Sequence, residues 1–254
     1  MTRNLLHKTI IYGPFRSRRL GLSLGINVLN WVLKICTFNC QYCECGWTDI
    51  QPGKEIPFYE FPTVDDICRE LEKSLKNSFM LPDHITFAGN GEPTLHPEFN
   101  EIVNRVTELR NKFSISSNTA ILSNSTTVTK PEIRKTLSKI DVKIMKLDTG
   151  SQEDMEEYNG AVNEIKYDDI ISGLKEMDNI IIQSLFTKGT KGNLTSQNIN
   201  EWLYRVKEIS PLYVQLYSLD RGYPSDEIDF VSDYDLETIR NLLSKEGIKS
   251  IIYR

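Results

Sequence analysis

The sequence predicts an α/β protein: an open, partial (β/α)6 TIM-like barrel with parallel strands. Three observations carry that expectation. Short apolar runs alternate with helix-period segments along the 254-residue chain, and no repeat or low-complexity tract interrupts them. Six such β-then-α units can be counted, fewer than the eight of a closed barrel. The unusual polar stretches, finally, follow the apolar runs, and parallel arrays gather their working residues just past the C-terminal ends of strands.

The elements follow in order. "LGLSLGINVL", Leu20 to Leu29, reads as the first strand, and a cysteine-rich loop succeeds it. A helix is expected from Thr63, with Val64, Ile67, Cys68, Leu71 and Leu75 on one face and Asp66 at capping-box spacing from Thr63. "HITFAG" is the second strand, ending in the turn "NGEPTLHP", and Phe99, Ile102, Val103, Val106 and Leu109 then mark an amphipathic helix. Strand "TAILSNS" precedes a helix from Thr129, and strand "VKIMKL" precedes helices within Gln152 to Met177. Strand "IIIQSLF", a helix around Trp202 to Val206, strand "YVQLYSL", a helix after Ser232 and a last "IKSIIYR" complete the series. Cys68 and Trp202 lie on apolar helix faces and read as core, whereas His96, before Pro97, reads as a surface turn residue.

A content of 39% hydrophobic and 26% charged residues is that of an ordinary soluble globule. The net charge of −5 argues against non-specific adhesion to nucleic acid. No apolar run approaches the ~20 residues of a membrane span, and the opening stretch lacks a secretion signal. A cytoplasmic protein with no membrane partner is expected. The local exception is "FRSRRLG", where Arg16, Arg18 and Arg19 read as a solvated basic turn, with an anion contact as the alternative.

Four of the five cysteines lie between Cys36 and Cys45, in "CTFNCQYCEC". That crowding does not suit separate disulfides, and with no secretion signal it points to metal or redox chemistry. Cys36, Cys40 and Cys43 form C-x3-C-x2-C, able to hold three corners of a cubane iron–sulfur cluster and leave the fourth iron open. The alternative is a zinc site on Cys36, Cys40, Cys43 and Cys45. Structural zinc sites, however, usually pair two separated knuckles, and here there is one.

Other strand ends carry further candidates. In "AGNGEP", Gly89 and Gly91 permit close backbone approach, Asn90 stands between them, and Glu92 offers an acceptor to a cationic group. Ser123 and Asn124 end the third strand, in what is also ordinary turn chemistry. Lys146 and Asp148, two positions apart, project to the same side of the fourth strand. Gln183 ends the fifth strand and Tyr217 the sixth; Arg221 beyond it is suited to a carboxylate or phosphate, or else pairs with Asp220.

C-x3-C-x-aromatic-C after the first strand of a β/α array, followed by "GNGEP", resembles the radical S-adenosylmethionine (SAM) superfamily. The resemblance covers nearly the whole chain and implies one radical SAM domain over 1–254: extension 1–35, cluster loop 36–48, then the core units. It implies a [4Fe–4S] cluster on Cys36, Cys40 and Cys43. SAM would be bound by Gly89, Asn90, Gly91 and Glu92, with Ser123, Asn124, Gln183 and Tyr217 as further contacts. Lys146, Asp148 and Arg221 become the candidate catalytic residues. The activity implied is reductive cleavage of SAM to a 5′-deoxyadenosyl radical that abstracts hydrogen from a substrate, with an electron donor of flavodoxin or ferredoxin type.

"YGPFRSRRLGLSLGINVL", "KLDTG" and "QLYSLDR" together resemble the wyosine-synthase-related group of radical SAM proteins. Wyosine synthases carry a second cluster on cysteines N-terminal to the first; this chain has no cysteine before Cys36. An imine-forming role for Lys146 goes with that resemblance. Three functions stay open at this level: an enzyme acting on a small molecule, nucleoside or RNA, an activating enzyme for a protein or peptide, and a non-catalytic zinc module.

Overall fold

The computed structural model describes residues 6–51, 61–114, 116–220 and 222–254. Its centre is one eight-stranded sheet whose strands lie side by side in chain order. They are β1 (Ile11–Ser17), β2 (Gly21–Ile26), β3 (His84–Phe87), β4 (Asn118–Ser123), β5 (Val142–Lys146), β6 (Ile180–Leu185), β7 (Tyr213–Tyr217) and β8 (Ser250–Ile252). From β2 to β8 every pairing is parallel. Between them run α1 (Val64–Asn77), α2 (Phe99–Phe113), α3 (Pro131–Leu137), α4 (Gln152–Asn159), α5 (Tyr167–Lys175), α6 (Ser196–Ile209) and α7 (Asp233–Lys245). The six expected β/α units are present, and the architecture is that of a partial TIM-like barrel.

Local chemistry sets these elements. Thr63 caps α1 by accepting from the Asp66 amide, and the apolar face of that helix, Val64 to Leu75, is buried. Ser232 and Asp235 form a capping box at α7. Every residue of β6 is buried, as expected of a strand covered on both faces. Among the described residues no helix is long and apolar enough to cross a membrane.

Alternation along the strands separates two surfaces. Ile121, Met145, Ile182, Val214 and Leu216 join the main core with the helices. Ala120, Ile144 and Ile181, at the alternate positions, form a second small cluster with Leu20, joined by Val142 and Tyr213. By the same alternation this inner face turns polar toward the strand ends, through Gln183 and Gln215 to Lys146 and Tyr217.

The antiparallel strand β1 is an addition to the expected array. No apolar alternation announced it, because an edge strand needs no second buried face: Gly13, Pro14, Phe15 and Arg16 are all exposed. The β1–β2 hairpin tip is not a purely solvated turn. Arg18 pairs with Asp220 at 2.6 Å, Leu20 is buried in the inner cluster, and the Arg19 guanidinium stacks over Tyr217 and Tyr253. The tip thus links the first strands of the sheet to the last.

His96 also departs from the surface role expected of it. It is buried, edge-on to Phe61. Its Nε2 bonds the Pro62 carbonyl at 3.0 Å and its Nδ1 accepts from the Glu98 amide at 3.0 Å. Trp202 is fully buried, as expected, and its indole N–H donates to Leu147 O at 2.9 Å.

Candidate functional site

The cysteine loop leaves the sheet after β2 and is anchored by backbone on three sides. Ile35 N donates to Asn90 O, and Glu92 N to Ile35 O, both at 3.0 Å, joining the loop to the turn after β3. Asn39 N and Gln41 N donate to Asn159 O and Tyr158 O at the end of α4. Cys36 N donates to Ile50 O on the loop's own return. Gly91 explains the first anchor: its φ is +133°, and a Cβ there would stand 1.7 Å from Ile35 O. Gly91 of "GNGEP" therefore admits the cysteine loop itself at close range, whereas Gly89 makes room for the Asn27 side chain.

Around the thiols lie donors and one buried cation. Asn124 Nδ2 approaches Cys36 Sγ at 3.4 Å, and Asn159 Nδ2 approaches Cys40 Sγ at 3.5 Å. Lys34 is 2% exposed, with its Nζ on Gly46 O at 2.7 Å. Burial works to lower its pKa, but the nearby Cys43, Cys36 and Cys40 sulfurs outweigh that and raise it. Burial pushes the Cys36 thiol up to about 12 and Cys40 to about 11. Cys43 is instead lowered to about 5, chiefly by a hydrogen bond from Cys45, whose own pKa that bond raises. Cys45 also lies 3.6 Å from Gly89 O. Among the described residues, no three His, Cys, Asp or Glu side chains form a site for a single metal ion.

The residues of "GNGEP" face inward. Asn90 is fully buried; its amide donates to His7 O and Asn30 O and accepts from His7 N. Glu92, 1% exposed, accepts from the amide and hydroxyl of Thr94, from Ser123 Oγ at 2.9 Å and from Asn124 N at 2.6 Å. Burial raises its pKa against the pull of those donors. Ser123 and Asn124 are thus joined to Glu92, and Asn124 reaches on to Cys36.

Across the mouth a second assembly forms. Asp148 Oδ1 accepts from Leu185 N at 2.8 Å and pairs with Lys146 Nζ at 2.9 Å. Its Oδ2 accepts from Tyr42 Oη at 2.5 Å and Asn159 Nδ2 at 3.0 Å. Lys146 Nζ donates to Tyr217 Oη at 2.9 Å; Tyr217 donates to Gln183, whose amide donates to Gln215. Burial opposes the Lys146 charge, yet Asp148 and Tyr217 more than offset it, so its pKa is raised. Lys146, Asp148, Gln183 and Tyr217, read from separate strand ends, are joined in one hydrogen-bonded chain. Asn159 touches both Cys40 and Asp148, coupling this chain to the cysteine loop. Arg221 lies outside the described residues.

Sequence reasoning missed Lys34, Asn159 and the Tyr42–Asp148 bond. A lysine two positions before the first cysteine was a usable signal. Asn159 ends a polar helix and gave none.

Two buried thiols and a half-buried third at a sheet's C-terminal mouth, with a buried ammonium among them, define a thiol-rich centre on a partial β/α barrel. Comparison with known proteins agrees. The radical SAM superfamily model matches residues 32–193. The UPF0026 protein MJ1312 of Methanocaldococcus jannaschii is 30% identical over 93% of this chain and 70% of its own length. A Brachyspira hyodysenteriae protein named GTPase Obg is 28% identical over 93% of this chain, which spans about a third (34%) of that protein. The present chain has no G-x4-G-K-[ST] phosphate loop. Among solved structures, a radical SAM methyltransferase from Sphaerobacter thermophilus superposes with TM-score 0.67 at 13% identity, over 91% of this chain and 65% of its own. TYW1 with a lysine-pyruvate adduct gives 0.60 at 17%, over 88% and 73%; at these identities the likeness is of fold. The chain belongs to the radical SAM superfamily, the class of enzymes that use SAM and an iron–sulfur centre.

Proposed function

We propose that the chain carries one [4Fe–4S] cluster on Cys36, Cys40 and Cys43, binds SAM across the ends of β3 and β4, and acts on a small-molecule or nucleoside substrate in the barrel lumen. The observation that carries this reading is convergence. The anchored cysteine loop meets "GNGEP" and Asn124 on one side and the Lys146–Asp148–Tyr217 chain on the other, through Asn159. When bound, the cluster and SAM supply a 5′-deoxyadenosyl radical by one-electron cleavage of the sulfonium.

The residues fit such a group. Cysteine thiolates are the usual ligands of a cubane cluster, and Cys36, Cys40 and Cys43 lie on the one anchored loop, all close enough to act on the Lys34 ammonium. Lys34 supplies buried positive charge beside them, and the amides of Asn124 and Asn159 orient two sulfurs. Glu92 contributes by shaping the turn that receives the methionyl end of SAM, since four internal donors already occupy its carboxylate. Lys146, held protonated by Asp148, acts as a fixed cation and not as an imine-forming amine. An electron donor of flavodoxin or ferredoxin type completes the system.

Anaerobic reconstitution followed by iron analysis tests this. About four irons per chain are expected, retained in Cys45→Ala and largely lost in Cys40→Ala, with 5′-deoxyadenosine formed from SAM on reduction. Eight irons, or iron loss in Cys45→Ala, would overturn the assignment.

A further inference from the structure

The hairpin tip carries two neighbouring arginines in opposite circumstances. Arg18 is about half-exposed and ion-paired with Asp220. Arg19 is half-buried, its guanidinium carbon 4.3 Å from the ring centroid of Tyr217 and 5.5 Å from that of Tyr253. Its Nε is buried with no hydrogen-bond partner, and no described carboxylate pairs with it. A buried N–H without an acceptor costs free energy. The two Nη groups are not buried in that way, and with the rings against the guanidinium they are the part of the fork open to a ligand.

Tyr217 joins this arginine to the lumen. Lys146 Nζ lies 4.9 Å from the same ring centroid and is hydrogen-bonded to its hydroxyl. Two cations thus flank Tyr217, while the one carboxylate in contact with this group, Asp148, is paired with Lys146. Among the described residues, one positive charge around Tyr217 stands uncompensated.

We propose that Arg19 receives an oxyanion of the lumen's substrate, a carboxylate or phosphate group, on the edge of its guanidinium. The planar fork of arginine matches both groups bidentately, and both carry the missing negative charge. The inference rests on the reading of the lumen as the substrate's place.

The test is calorimetric titration of the intact, cluster-loaded protein at low ionic strength, with inorganic phosphate in one arm and acetate in the other. Saturable binding of at least one anion is expected, and the stronger arm identifies the group. Arg19→Gln should weaken it about tenfold or more, whereas Arg18→Gln should change it by no more than about twofold. If Arg19→Gln loses cooperative melting, Arg19→Lys is read in its place, and it too should bind more weakly for want of the fork. No saturable binding of either anion to the wild type, or equal binding by the Arg19 variant, overturns the proposal. SAM cleavage, assayed separately in the wild type, keeps the two readings apart. Cleavage without anion binding sinks this inference alone, and anion binding without cleavage sinks the proposed activity alone.

Discussion

Glu92 and Asp148 are both buried carboxylates at strand ends, and both accept four hydrogen bonds. Their donors differ. Glu92, between β3 and β4, takes only neutral ones, from Thr94, Ser123 and Asn124. Asp148, between β5 and β6, takes three neutral donors and the Lys146 ammonium. The half of the mouth beside the cysteine loop is therefore a neutral scaffold, closed by backbone contact, on which the loop is seated. The facing half is a charged assembly whose members depend on one another. Position in the sheet does not decide which kind of site forms; the donor opposite the carboxylate does.

The sharpest way to break the scaffold half is Gly91→Ala. Its Cβ would meet Ile35 O at 1.7 Å, at a φ of +133°. A loss of roughly 4 kcal/mol or more is expected, with iron binding lost because the cysteine loop is displaced. Gly222→Ala, where nothing lies within 4 Å, should shift stability by no more than about 0.5 kcal/mol. Urea denaturation and iron content of both variants decide it, and normal iron in Gly91→Ala would show that the loop reseats.

In the charged half, Asp148→Asn strands the Lys146 ammonium. It should cost about 3–5 kcal/mol by urea denaturation, with part recovered when Lys146→Met is added. Glu92→Gln faces only neutral donors and should cost less, about 1–3 kcal/mol. If Glu92→Gln proves as damaging as Asp148→Asn, the contrast between the two halves fails.

The smallest effect concerns pH. The Pro62 carbonyl can only accept and the Glu98 amide can only donate, so His96 is held neutral with its proton on Nε2. Burial lowers its pKa below the usual 6.5. The unfolded chain then takes up a proton that the native state resists. The stability from this group is complete above about pH 6.5 and is lost as pH falls toward the lowered value. His96→Gln should flatten that part of the stability–pH curve, and an unchanged slope would remove His96 as its cause.

What was legible in the sequence followed from periodicity and spacing. Alternation placed Lys146 and Asp148 together, and the strand count placed Gln183 and Tyr217 near them. The cysteine spacing marked the loop. What stayed hidden depended on partners distant in the chain. Asn90 looked like a turn residue open to a ligand, but its amide ties down His7 and Asn30. Arg19 looked solvated because its rings lie on β7 and beyond β8, and β1 carried no apolar alternation because it is an edge.

The hairpin tip has a consequence for how the molecule is made. Arg18 and Asp220 are separated by 202 positions, and Tyr253 comes later still. During synthesis the hairpin emerges long before any of these partners exists, so its docking belongs to the last stage of assembly. Contacts of such sequence separation are entropically expensive to close and slow folding. Leu20 can meet Ala120, Ile144 and Ile181 as soon as β4 to β6 are made, but until β7 and β8 arrive the two arginines have no partners and the nascent barrel stays open along that side. Truncated chains lacking β7 and β8 should therefore be cut by trypsin at Arg18 and Arg19 faster than the complete chain, in which Arg18 is ion-paired and Arg19 half-buried against Tyr217 and Tyr253.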